Sequence, residues 1–187
     1  MNNYSNLKDK VRMPLYDTVS FSNGAVSAGT DKTFFNIPVG QSSKTYLDTN
    51  LETAGQIPYD RIVVYGLRLY LYTRTSTPVN IGDVNQIINC CILDFKKNNV
   101  SKLIIPAHWL PAGIGIEGFA STTEEDTSIV SAYNGNASLS NYYRINPEIF
   151  SKGEVLQFTL SVKSAMTLTA TTYVQLYLES ITYKSIS

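Results

Sequence analysis

Gly113, Gly115 and Gly118, in the stretch PAGIGIEGF, stand at the G-x-G-x-x-G spacing of a dinucleotide-binding loop. That chemistry needs a strand running into the first glycine and a helix after the last, so that amides at the helix start meet the pyrophosphate. Here Pro106 and Pro111 interrupt the approach. FASTTEEDTS follows, with no apolar helical stripe and with acids that would repel a phosphate. The glycines therefore read as a turn-forming loop, and no cofactor is expected.

Other reactive side chains are sparse. His108 is the only histidine, and a metal-dependent cupin needs several imidazoles at one site. A Ser-His-Asp hydrolase could use one histidine, but no G-x-S-x-G elbow is present. His108 lies beside Trp109 and two prolines, which suggests a packed loop residue. Glu124, Glu125 and Asp126 are adjacent acids in a loop, whereas a glycosidase holds two acids on rigid strands across a cleft. The neighbours Cys90 and Cys91 would point to opposite faces of a strand, so they read as two small buried thiols. The expectation is no enzyme, no metal and no catalytic residue.

The bulk composition points the same way. Lys plus Arg and Asp plus Glu number 15 each, so the chain carries no net charge to draw nucleic acid or an anionic membrane. Charged residues make up 16% against the roughly 25% of ordinary domains. That predicts a β-rich chain with much of its surface against other protein. The opening residues have no apolar core and do not read as a secretory signal, and no run reaches the length of a transmembrane helix. Without a route to glycosylation, the sequons at Asn99 and Asn136 are not expected to be used.

The elements that must position any site are strands. RIVVYGLRLYLYTRT, from Arg61, alternates with period two: Val63, Tyr65, Leu67, Leu69 and Leu71 on a core face, and Ile62, Val64, Gly66, Arg68, Tyr70, Tyr72 and Arg74 on the other. DTVSFSNG reads as a strand ended by an Asn-Gly turn, and Lys32 to Val39 as a second strand. CCILDFKKN and VSKLIIP read as a hairpin around Asn98-Asn99. GEVLQFTLSVKS and TTYVQLYLESITYKSI alternate cleanly, with a bulge expected near Ser180. NIGDVNQIIN suggests one or two helical turns capped by Asp83, with Ile87 and Ile88 inward. Residues 1–15 are polar and aperiodic and read as an extended arm. One domain over residues 1–187 is expected, an all-β sandwich or barrel of about eight strands with Greek-key connections and long loops.

Thirteen tyrosines set this sequence apart. Tyr70 and Tyr72 flank Arg68 and Arg74 on the non-core face of the long strand, and Tyr173, Tyr177 and Tyr183 repeat the theme near the end. Tyrosine and arginine are enriched at protein interfaces. Sugar stacking and simple strand preference are the competing explanations.

The order of segments resembles the capsid proteins of tailless icosahedral phages. TNLETAGQIP leading into RIVVYGLRLYLY resembles the approach to a long strand in that family. LIIPAHWLPAGIGIEG resembles its strand-then-loop segment, YRINPEIFSKGEVLQFTL a late turn into an apolar strand, and TTYVQLYLESITY the closing strand, with Ser180 where glycine would be expected. The resemblance spans roughly Asn50 to the C-terminus. It implies a single jelly roll of two antiparallel sheets. It also implies a structural shell subunit that forms pseudo-hexameric capsomers with itself or a related jelly-roll protein, in contact with an internal membrane or minor capsid proteins. Assembly in the host cytoplasm into a virion follows, without sequence-specific nucleic-acid binding. Lys8, Lys10 and Arg12, offset by Asp9, are too few for a genome-binding arm, and an arm clasping a neighbour fits better.

The expected interface is Arg68, Tyr70, Tyr72 and Arg74, with Tyr173 and Tyr177, as a surface partly buried only in the oligomer. The loop from Ala112 to Asn141 would face a neighbour or the virion exterior. The alternative is a β-sandwich carbohydrate- or receptor-binding module.

Overall fold

The computed structural model describes residues 8–75, 79–112 and 140–185. Among the described residues, eleven strands run in chain order: β1 (Lys8–Arg12), β2 (Leu15–Phe21), β3 (Gly24–Val26), β4 (Asp31–Phe34), β5 (Arg61–Tyr72), β6 (Cys91–Lys97), β7 (Val100–Pro106), β8 (Tyr143–Ser151), β9 (Leu156–Val162), β10 (Met166–Leu168) and β11 (Thr172–Ser185). One helix, α1 (Ile81–Cys90), precedes β6, and a short 3-10 turn (Ala107–Trp109) follows β7.

The first sheet runs β2-β11-β5-β8, with β1 continuing the β2 edge along the far half of β11. The second runs β4-β9-β6-β7, and β3 pairs with β10 in a small ribbon. Every pairing is antiparallel. The protein is all-β, and the inner faces of both sheets feed one apolar core. Phe95 of β6 stacks on Phe158 of β9 at 4.5 Å and meets Phe150 of β8 across the sandwich at 6.1 Å. Period-two alternation dictates this: Leu156, Phe158, Leu160 and Val162 point in from β9, and Val174, Leu176 and Leu178 from β11.

The hairpin β6–β7 turns at Asn98 and Asn99, with φ of 50° and 64°. Asparagine tolerates this left-handed backbone, which matches the twist of the flanking strands. The β4 strand stops at Phe34, short of the expected Val39. Phe35 turns to φ 63°, held there by its amide donating to the buried Asp17 carboxylate at 2.6 Å.

Several expectations need correction. The helix α1 has ten residues, more than one or two turns, and its cap is Asn80, whose Oδ1 accepts from the Gly82 amide. Asp83 is instead buried one turn in and accepts from the Thr169 and Ala170 amides, tying the helix to the turn after β10. Ile87 is buried and Ile88 half-buried.

Strand β5 does not keep one core face. Val64 pairs with Ser180 and Gly66 with Glu179, so Tyr65 is the extra residue of a bulge, and the faces swap across it. Ile62 and Val64 point inward before the bulge, and Leu67, Leu69 and Leu71 after it, whereas Val63 and Tyr65 lie outside the core. The irregularity lies at Ser180 as expected, but the added residue belongs to β5, and β11 keeps unbroken alternation. Residues 8–15 are not a free arm. Lys8–Arg12 pairs along its own β11, and Leu15 sits in the core. His108 and Trp109 are exposed rather than packed. Residues 1–7 lie outside the described residues. So do Gly113, Gly115, Gly118, the acids at 124–126, Asn136 and nearly all of the 112–141 loop.

Candidate functional site: a tyrosine and arginine face

The outer face of the first sheet gathers most of the residues singled out above. Register places them in three rows across β2, β11 and β5: Ser20, Tyr173, Tyr72; then Thr18, Gln175, Tyr70; then Tyr16, Tyr177, Arg68. Side chains directly opposite on one face of a sheet come into contact. Tyr70 stacks on Tyr72 at 5.4 Å and 13°, Tyr72 on Tyr173 at 5.5 Å and 26°, and the Arg74 guanidinium sits 4.3 Å over the Tyr173 ring. Tyr16 and Tyr177 form a second pair at 5.5 Å. Tyr16 and Tyr46 were not singled out from the sequence, because their place here depends on pairing across the sheet and on the fold of the 35–60 connection.

That connection runs along the β2 edge. Asn50 accepts from the Tyr16 amide at 2.9 Å and donates to the Pro14 carbonyl at 2.8 Å, and Thr49 Oγ1 donates to the Tyr16 carbonyl at 3.1 Å. Tyr46 and Leu47 are thereby lifted above the sheet, with Leu47 82% exposed. The Leu47 carbonyl accepts from Gln175 Nε2 at 2.9 Å, and the Tyr46 carbonyl from the Tyr16 hydroxyl at 2.6 Å. An open groove of about 700 Å³ results, lined by Tyr16, Leu47, Tyr70, Tyr72, Gln175 and Tyr177 among others.

Arg68 departs from expectation. It is only 2% exposed within the single chain, its Nε donating to Glu179 at 2.7 Å and its guanidinium lying 5.6 Å from the Tyr142 ring. It is a buried structural ion pair and needs no oligomer to cover it. Arg74, by contrast, is partly exposed and paired with Asp48. Burial pushes the Tyr177 phenol up to about 12 and also raises Tyr72 and Tyr16, so these phenols keep their protons at physiological pH.

The geometry limits what this face can do. The face of Tyr72 is given to Tyr70 and Tyr173, and that of Tyr173 to Tyr72 and Arg74. The row therefore offers ring edges and hydroxyls more than free ring faces, which suits hydrogen-bonded protein contact better than sugar stacking.

The β7 and β8 strands carry apolar exposure. Val100 and Ile104 of β7, Trp109 just beyond it and Ile149 of β8 are all exposed. Register puts Ile104, opposite Asp94, on the outer face of the second sheet and Ile149, opposite Val63, on that of the first. Between the two edge strands opens a cleft of about 290 Å³, lined by Phe95, Leu103, Tyr143 and Ile145 with Lys102 and Arg144.

Among the described residues, no group of three or more His, Cys, Asp or Glu side chains is placed to hold a metal, and no helix is long and apolar enough to cross a membrane. Cys90 ends α1 and Cys91 begins β6, both free, with burial pushing the Cys91 thiol up to about 12. Compared with models of protein families and with curated proteins, the chain matches none.

Proposed function

We propose that this chain is a structural, non-enzymatic jelly-roll subunit of a phage-like icosahedral shell, assembling with copies of itself or of a related jelly-roll protein. The observation that carries the reading is the strand order. Set aside β1, which continues β2, and the three-residue strands β3 and β10, and eight of the eleven strands remain. The first pairs with the eighth, the eighth with the third and the third with the sixth. In the other sheet the second pairs with the seventh, the seventh with the fourth and the fourth with the fifth. Two interleaved Greek keys of this kind support the jelly-roll reading, a fold that viral capsids share with lectins and cupins. Fold alone does not assign function. The capsid reading takes further support from the segment resemblance, the low charge and the two lateral surfaces just described.

In this reading the sandwich is a rigid brick. The hydroxyl-edged tyrosine face and the apolar β7–β8 side bond to neighbours, and Trp109, Ile104 and Tyr70 are the kinds of side chain that anchor such contacts. Sedimentation velocity and negative-stain imaging of the purified protein across concentration and salt test it. Rings, sheets or closed particles are expected. A monodisperse monomer at high concentration, with no particles under any condition, overturns it.

A further inference from the structure

A second cleft, of about 480 Å³, opens where the β2 and β4 edges meet, roofed by residues 36–48 and by Arg74. Three cations line it, Lys32, Lys44 and Arg74. Two of them are already paired: Lys44 with the buried Asp17 at 2.5 Å, and Arg74 with Asp48. The Lys32 ammonium lies 5.5 Å over the Phe21 ring and has no carboxylate partner among the described residues. Ser20, Thr33, Asn36, Ser42 and Ser43 line the same cleft. Ser42 and Ser43 both hold left-handed backbone, φ 47° and 62°, a conformation disfavoured for side chains other than glycine. Their amides have no hydrogen-bond partner among the described residues. Two acids complete the lining, Asp48, already paired with Arg74, and the exposed Asp31.

This set of groups selects its ligand. A bare phosphate would satisfy Lys32 and the serine amides but meet Asp31 as a like charge. A neutral sugar would satisfy Asp31 and the hydroxyls but leave the ammonium without an anion. A polyhydroxylated ligand with one carboxylate or sulfate satisfies both, because its hydroxyls donate to Asp31 while its anion takes charge-assisted bonds from Lys32 and the Ser42–Ser43 amides. The volume lies within the range of small-molecule sites. We propose that this cleft binds an acidic saccharide, a sialate- or uronate-bearing glycan such as those on cell surfaces. The site adjoins the tyrosine row, sharing Ser20, Tyr173 and Arg74 with its margin, and the proposal does not depend on the shell reading.

Titration of the full chain with sialyllactose, a uronate-containing disaccharide, lactose and inorganic phosphate, followed by chemical-shift changes or calorimetry, tests the inference. Saturable binding of at least one acidic sugar is expected, with lactose and phosphate each weaker by at least about tenfold. Lys32→Gln should abolish binding and Lys32→Arg should retain it, both with unchanged thermal unfolding. The inference is overturned by no acidic sugar binding, by lactose or phosphate binding as well, or by binding indifferent to Lys32→Gln. Particle formation is read on the same samples, so failed sugar binding with intact assembly counts only against the cleft.

Discussion

Lys44 reaches the wholly buried carboxylate of Asp17 at 2.5 Å, and the same carboxylate accepts the Phe35 amide that ends β4. Burial pushes the Asp17 carboxyl above its ordinary range, against the pull of Lys44 and of the backbone amides. The cost of desolvating the charge thus outweighs the attraction, the usual state of an ion pair taken out of water.

Losing one partner should therefore hurt more than losing both. Lys44→Met, which strands the Asp17 charge, is expected to cost about 3–5 kcal/mol. The double change Asp17→Asn with Lys44→Met should recover most of that loss. Denaturant unfolding of the two variants beside the parent checks it, and equal destabilisation of both would contradict the account.

Gly66 sits under the Tyr142 ring, and a Cβ there would run into the Cδ2 and Cε2 atoms of that ring. The ring fills the place of the missing side chain and also packs edge-on against Tyr65 at 5.8 Å. Gly66→Ala should destabilise the fold by about 1–3 kcal/mol, as overpacking does. Adding Tyr142→Ala should remove much of that penalty, because the ring is what blocks the methyl group. The double-mutant cycle gives the coupling directly.

Alkali should open this protein in a defined window. Tyr177 ionises at 10.0 when unperturbed and at about 12 in the folded chain. A group raised in the folded state lends stability that is fully present below the unfolded value and is lost as pH climbs through the folded one. Stability should therefore fall between about pH 10 and 12, and Tyr177→Phe should flatten that fall. Unfolding midpoints at a series of alkaline pH values, with phenolate absorbance as the second readout, decide it. A flat profile in the parent chain would contradict the burial argument.

Assembly should respond to the β7–β8 side without any change in the subunit. Ile104 is exposed, so Ile104→Glu is expected to alter subunit stability by no more than about 0.5 kcal/mol. In the shell reading, the same change places a charge in an apolar contact and should abolish higher species in sedimentation. Unchanged assembly would move the interface elsewhere on the surface.

What could be read from the chain in advance follows the range of the interactions. The β6–β7 hairpin was legible because its turn depends on two asparagines and its strands on their own alternation. The long strand was legible as a strand, but not its swap of faces, because the bulge at Tyr65 is set by register against β11, more than a hundred residues away. Arg68 looked like an exposed partner of Tyr70 for the same reason. Its burial depends on Glu179 and Tyr142, neither of which is near it in sequence. Asp83 has the composition of a helix cap, yet Asn80 takes that role and leaves Asp83 to receive the amides after β10. The cleft at Lys32 joins two edge strands, a loop and Arg74 just beyond β5, and no window of sequence contains it.

The edges of the first sheet carry one further consequence. On one margin, β1 presents Lys10 and Arg12 while Asn50 and Thr49 occupy the Tyr16 backbone. On the other margin, β8 carries Pro147, and its pairing slips between Val64 and Gly66. Charge, a side-chain clasp, a proline and a bulge all discourage a foreign strand from adding to a sheet. In the shell reading, neighbouring subunits would then meet through side chains rather than by adding a strand to this sheet. A particle built that way, if the shell reading holds, would come apart into intact, correctly folded bricks and be rebuilt from them, since the described edges of this sheet lend no strand to a neighbour.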